Sequence, residues 1–181
     1  TQKTKHKNLS LVPTTSHLAN TEVELANLNN KFVRLKQGIG DNLDYDFIII
    51  DSPPSLSLLT VNALIAAQYV ILPVQAEFYA MEGLGQLLET MKLVRKGMNP
   101  TLELLGVLVT MLDTRTSLSK QVHDEIKKHF TDKVLETTIP RNIRLAEAPS
   151  HGLPIGAYER WSKGARAYKA ATKELLDRVG A

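Results

Sequence analysis

The chain has 181 residues, a length for one domain, and 43% of it is hydrophobic, enough to build a full core and to exclude disorder over most of its length. It contains no cysteine, which excludes a disulfide framework, an iron–sulfur cluster and a thiolate zinc site; a formal charge of +3 permits a polyanionic partner without requiring one. No apolar run approaches the ~18–20 residues of a membrane span, and no signal-peptide pattern opens the chain.

Residues 1–8 carry Lys3, Lys5, His6 and Lys7 and no apolar residue, so they are expected to be frayed or disordered. Leu9, Ser10, Leu11 and Val12 read as a short strand ending at Pro13. Leu28, Phe32, Leu35, Ile39 and Leu43 recur at steps of three and four, one face of a helix. Phe47, Ile48, Ile49 and Ile50 follow as a strand apolar on both faces, of the kind buried in parallel sheets. A helix is expected over 57–67 with Ser57 as its N-cap behind Pro53 and Pro54, then a strand over 69–74. Over 80–96 a further helix shows Leu84, Leu87, Leu88, Met91 and Val94 on one face. Lys92, Arg95 and Lys96 close it before Gly97, which suits the helix dipole and the C-terminal glycine preference.

Residues 104–112 form another long apolar strand, and 117–130 a helix with Leu118, Val122, Ile126 and Phe130 at steps of four. The strand at 134–139 is weakened by Glu136, Thr137 and Thr138. A loop rich in proline and glycine, 140–158, leads to a last helix over 162–179, with Ala165, Tyr168, Thr172, Leu175 and Val179 facing inward. Repeated β-then-α units predict a single α/β domain over 1–181, an open, mostly parallel sheet flanked by helices.

Ligands of such sheets bind beyond the carboxyl ends of the strands. The segments there are 51–54, 75–77, 111–115 and 140–144, all polar and all expected on one rim. Asp51 closes the most apolar strand, where a buried carboxylate requires a cation or hydrogen-bond donors. Magnesium beside a nucleotide phosphate is one solution and a helix N-terminus the other.

Residues 45–54, Tyr-Asp-Phe-Ile-Ile-Ile-Asp-Ser-Pro-Pro, resemble the Walker B segment of the ParA/Soj chromosome- and plasmid-partitioning ATPases. Four more segments agree in order and spacing: 73–84, 110–116, 139–145 and 146–152. The resemblance implies a P-loop NTPase-like fold of the deviant Walker A type. One departure is large: that family opens with a glycine-rich loop carrying two lysines, whereas this sequence holds no Gly-Lys dipeptide and starts at Thr1. The chain is therefore expected to correspond to the C-terminal two-thirds of such a protein, without its P-loop and first βαβ portion.

The resemblance implies that Asp51 is the catalytic-site carboxylate holding magnesium through water, and that Pro140, Arg141 and Asn142 frame the adenine of ATP with Met111 at the neighbouring strand end. It implies that Glu77 reaches the partner subunit's nucleotide in an ATP-bound homodimer, and that Arg115 and Arg144 bind DNA non-specifically. Plainer readings stand beside these. Glu77 suits a helix N-terminus, Arg141 a strand cap or a pair with Glu147, Met111 a core, and Arg115 and Arg144 solvated loops. His123, His129 and His151 lack metal-ligand spacing.

The implied function is a cytoplasmic, nucleoid-associated partitioning ATPase stimulated by a ParB-type centromere-binding protein, the 181 residues alone being inactive and not binding ATP or magnesium tightly. A MinD-type division-site ATPase is the alternative. It docks on membrane by a basic amphipathic C-terminal helix, for which Lys169, Lys173, Arg178, Leu175, Leu176 and Val179 are available, although no membrane partner is expected. A non-catalytic dimerisation or scaffold module is a third reading. The absence of cysteine excludes a related iron-protein reductase.

Overall fold

The computed structural model describes residues 1–14, 18–40, 44–53, 55–77 and 80–181, in two units, Thr1–Ala66 and Ala67–Ala181. Leu43, Pro54, Phe78 and Tyr79, all used in the sequence reading, lie outside the described residues.

In the first unit β1 (Gln2–Lys3) pairs antiparallel with β2 (Ser10–Leu11), Gln2 opposite Leu11. Both the backbone N–H and the hydroxyl of Thr4 donate to the Leu9 carbonyl, at 3.1 and 2.9 Å. The segment expected to fray thus closes a small hairpin. Three helices follow: α1 (Leu18–Ala26), α2 (Arg34–Ile39) and α3 (Leu58–Ala66). Ser57 caps α3 as expected, its hydroxyl accepting from Leu59 N–H at 3.3 Å.

The continuous helix expected from Leu28 is instead a run of turns followed by α2. Side chains take the backbone groups an unbroken helix would use, as asparagines do. Asn27 donates to the Val23 carbonyl, while the buried Asn62 of α3 donates to the Lys31 carbonyl at 2.7 Å and accepts from Leu35 N–H at 3.2 Å.

Residues 47–50, expected as a buried strand, join no ladder among the described residues, and Ile49 is 93% exposed. A run apolar on both faces is held as a strand only between paired neighbours beneath covering helices. No described strand pairs with this one. Asp51 is accordingly exposed, so the expectation of a carboxylate buried at a strand end does not hold.

In the second unit β3 (Tyr69–Gln75) and β4 (Glu103–Thr110) run parallel, from Tyr69 opposite Glu103 to Gln75 opposite Thr110. The helix α4 (Ala80–Gly97) connects them. Residues 134–140 flank β4 through the bridges Val107–Val134 and Leu112–Pro140, also parallel. This third neighbour is bulged: Leu135 N–H donates to Val107 and Ile139 N–H to Val109, both at 2.9 Å, so four residues advance against two on β4. The displaced N–H groups of Glu136 and Thr137 donate to the Glu174 carboxylate at 2.8 and 2.9 Å. The interruption by polar residues is therefore a designed departure from the ladder, satisfied from the opposite side.

The remaining helices are α5 (Ser117–Phe130), the short α6 (Ile143–Glu147) and α7 (Ile155–Tyr158), and α8 (Lys163–Val179). Leu72, Val74, Val107 and Val109 pack with Leu84 of α4 and Ile126 of α5 on one side of the sheet. Leu108 alternates to the other side, as pleating requires, and joins Leu135, Ile139, Leu145 of α6 and Ala171 and Leu175 of α8. Ser162 caps α8, accepting from Ala165 N–H at 3.0 Å, and Gly180 (φ 74°) closes it in the left-handed conformation. Arg178 ties α8 to the sheet by donating to the carbonyls of Leu105, Lys133 and Val134 at 2.9–3.1 Å. Among the described residues no helix is long and apolar enough to cross a membrane.

Candidate functional site

The carboxyl ends of β3, β4 and the 134–139 segment meet at one edge of the second unit. Backbone hydrogen bonds continue past the strands: Ala76 N–H to Thr110, Leu112 N–H to Ile139 and Arg141 N–H to Leu112, at 3.0–3.1 Å. The hydroxyl of Ser119, in the first turn of α5, donates to the Ala76 carbonyl at 3.2 Å. These bonds fix three polar segments side by side, as expected for 75–77, 111–115 and 140–144.

Met111 leaves β4 with φ 53°, in the left-handed region that costs a side-chain-bearing residue about 1–2 kcal/mol. That turn redirects the chain at the strand end, the kind of position where strain accompanies function. Arg141 donates from Nη2 to Glu77 Oε1 at 3.1 Å, joining two segments 64 residues apart in sequence. Asn142 follows in extended conformation at the N-cap of α6, and its Oδ1 is buried with no hydrogen-bond partner among the described residues. A buried acceptor of this kind is a costly feature in a folded protein.

Arg115 is 85% exposed, yet it forks onto Asp113 through Nε and Nη2 at 2.9 and 2.7 Å, while its backbone N–H donates to the same carboxylate at 3.0 Å. These hydrogen bonds from Arg115, side chain first, hold the Asp113 carboxyl well below the usual carboxylate range. Arg144 donates to Glu147 at 2.8 Å, and the Tyr158 hydroxyl donates to the same carboxylate at 3.2 Å. Hydrogen bonding to Arg144 lowers the Glu147 carboxyl.

The structure thus gathers Glu77, Met111, Pro140, Arg141 and Asn142 at one edge, with Arg115 just beyond β4 and Arg144 on α6. Asp51 belongs to the first unit. Of the plainer readings, a pair between Arg141 and Glu147 is replaced: Glu77 takes Arg141, and Glu147 takes Arg144. Asp113, Ser119 and Glu174 are structural partners that no sequence motif marks as functional. Only Asp113 left a local signal, since an aspartate two residues before an arginine can close an Asx turn.

Among the described residues no cluster of three or more histidine or acidic side chains can hold a metal ion. The donors that fit a nucleotide and its cation are different in kind. Asp51 offers an exposed carboxylate, the hard oxygen ligand that magnesium takes singly alongside water and phosphate. The orphaned Oδ1 of Asn142 fits a donor such as the exocyclic amine of a base.

A parallel sheet covered by helices on both sides, its polar loops gathered at the strands' carboxyl ends, defines the class as an open α/β protein with a ligand edge. The AAA domain family matches residues 1–104. The sporulation initiation inhibitor protein Soj of Bacillus subtilis (strain 168) is 53% identical over 170 residues, covering 93% of this chain and 67% of that protein. Chromosome partitioning protein ParA of Myxococcus xanthus is 47% identical over 176 residues, covering 97% and 62%. The crystal structure of cobyrinic acid a,c-diamide synthase from Mycobacterium smegmatis with bound ADP and magnesium matches with a TM-score of 0.74 at 36% identity, covering 91% of this chain and 60% of that one. The chain belongs to the Soj/ParA family of chromosome-partitioning ATPases, and it spans roughly two thirds of the length of these curated relatives.

Proposed function

We propose that this chain is part of a nucleotide-switched partitioning ATPase. The observation that carries the reading is the edge where Glu77, the strained Met111 and the Arg141–Asn142 pair converge, with a buried acceptor left unsatisfied. Met111, Pro140, Arg141 and Asn142 frame the adenine of ATP, and Asp51 orients magnesium through a water molecule. Bound nucleotide and magnesium supply the phosphoanhydride bond and the charge that organises it. Glu77 shares its carboxylate between Arg141 and the nucleotide of a second protomer, which makes a homodimer dependent on ATP. Arg115 and Arg144 face DNA phosphates in that dimer, and symmetry doubles their number. No base-reading arrangement accompanies them, so binding is independent of sequence. A ParB-type centromere-binding protein accelerates hydrolysis, and the protein works in the cytoplasm on the nucleoid.

The packing of α8 supports this reading over a membrane-docking one, because its apolar face is covered by Leu108, Leu135 and Ile139. The 181 residues hold no Gly-Lys dipeptide. They therefore lack the backbone cradle and lysine from which triphosphate affinity largely derives. A paired assay tests the whole proposal: Mg·ATP binding and hydrolysis by the 181 residues, and by a protein extended to the length of its relatives. The extended protein hydrolyses ATP and the shorter chain gives no micromolar isotherm. Micromolar binding by the short chain, or no hydrolysis by the extended one, contradicts it.

A further inference from the structure

We infer that Trp161, stacked with Arg160 and continued by the cations of α8, is a base-stacking contact for single-stranded nucleic acid. Trp161 is the sole tryptophan of the chain and is 71% exposed. The Arg160 guanidinium lies 4.6 Å from the ring centroid. One face of the indole is thereby occupied and positively polarised, and the other is open.

From this ring Lys163, Arg166, Lys169 and Lys173 follow at steps of three, three and four, all exposed. Arg166, Lys169 and Lys173 lie on the side of α8 away from the buried Gly164 and Ala171, with Lys163 at its edge. None of these four, nor Arg160, forms an ion pair among the described residues. The flanking acids are Glu159, Glu174 and Asp177; Glu174 is engaged by Arg178 and by the N–H groups of Glu136 and Thr137, and the exposed Asp177 lies one turn past Lys173, where the stripe ends. At 1.5 Å per residue the stripe extends about 15 Å. The start of α8 also packs directly on α6. A Cβ at Gly164 would lie 2.5 Å from Leu145 Cγ, so only glycine admits this approach. The Trp161 surface is therefore borne next to the helix that carries Arg144.

A charged track with an aromatic platform is the combination that binds single strands, since every base offers a π-face once it is unstacked. A duplex hides those faces. A membrane surface requires an apolar helix face, and that of α8 is in the core. This contact goes beyond the partitioning reading, which places Arg115 and Arg144 on duplex DNA in a nucleotide-bound dimer. It needs neither nucleotide nor dimer.

The test uses the lone tryptophan as reporter. The chain is titrated with a short oligothymidylate, with the corresponding thymine–adenine duplex and with anionic phospholipid vesicles, following Trp161 emission. Binding of labelled oligothymidylate is then measured by anisotropy for Trp161→Ala and Trp161→Phe. The expected result is saturable quenching by oligothymidylate, weaker quenching by duplex, a roughly tenfold loss of affinity in Trp161→Ala and near-retention in Trp161→Phe. Equal or stronger response to duplex, a blue shift with vesicles alone, or unchanged affinity in Trp161→Ala each overturns the inference. The duplex arm needs no nucleotide, so failure here leaves the roles of Arg115 and Arg144 to be judged separately.

Discussion

Replacing Glu174 by glutamine keeps the size of the side chain and removes its charge. In the structure one carboxylate, 20% exposed, accepts from Glu136 N–H at 2.8 Å, Thr137 N–H at 2.9 Å and Arg178 Nη2 at 3.1 Å. A carboxamide has one acceptor oxygen and turns its NH2 toward the other backbone donor, leaving a partly buried N–H without a partner. Hydrogen bonds to charged groups are worth about 1.5–3 kcal/mol and an unsatisfied buried donor costs about 1–3 kcal/mol, so the loss is about 2 kcal/mol. For a chain of this length that is about 4–8 °C in Tm. Burial pushes the Glu174 carboxyl up, but the N–H groups of Thr137 and Glu136 and the Arg178 charge outweigh it, and the net shift is downward. A carboxyl lowered by folding stabilises the protein above the unfolded value, near 4.3, and loses that contribution as pH falls through the folded value. Thermal unfolding of wild type and Glu174→Gln at neutral pH and at about pH 3 reads both effects. The gap is present at neutral pH and narrows in acid. Equal Tm at neutral pH, or a gap unchanged in acid, refutes the reasoning.

Two further substitutions address the site in the length-extended protein. Asp51→Ala abolishes ATP turnover while circular dichroism and Tm stay as in wild type, because the carboxylate is exposed and its loss opens no cavity; normal turnover in the folded variant assigns Asp51 no part in the chemistry. Asp113→Asn releases Arg115 from its fork and strengthens duplex binding several-fold by gel retardation, whereas weaker binding places Arg115 away from DNA.

What was legible in the sequence was whatever the chain decides locally. β3, β4, α4, α5 and α8 lie within two residues of their expected bounds, since each has a periodic apolar face or a continuous apolar run. Ser57 caps α3 as its sequence advertises, whereas Gly97, expected just past α4, is its last residue and does not adopt the left-handed conformation. Partners distant in sequence were not legible. The run 47–50 has the composition of a buried strand, but strand form depends on neighbours that composition does not report. The apolar spacing from Leu28 to Ile39 fits a helix, yet the acceptor at Lys31 is taken by Asn62, 31 residues onward. The helices α6 and α7 are five and four residues long, too short to show a period. At the site, the convergence of strand ends followed from parallel topology, whereas the choice of Glu77 for Arg141 depends on register. The resemblance supplied roles for Pro140, Asn142 and Met111 that spacing alone did not contain.

The central claim is that nucleotide controls DNA binding through Arg115 and Arg144. It is tested most directly by duplex retention of the length-extended protein with and without Mg·ATP, at two salt concentrations, beside Arg115→Ala and Arg144→Ala. The account predicts retention only with ATP and equal on random and specific duplexes. Each substitution lowers the salt slope of log affinity by about 0.9 per lost phosphate contact, doubled in a symmetric dimer, with nucleotide affinity unchanged. Retention that ignores nucleotide, or variants that hold DNA as wild type does, would contradict it.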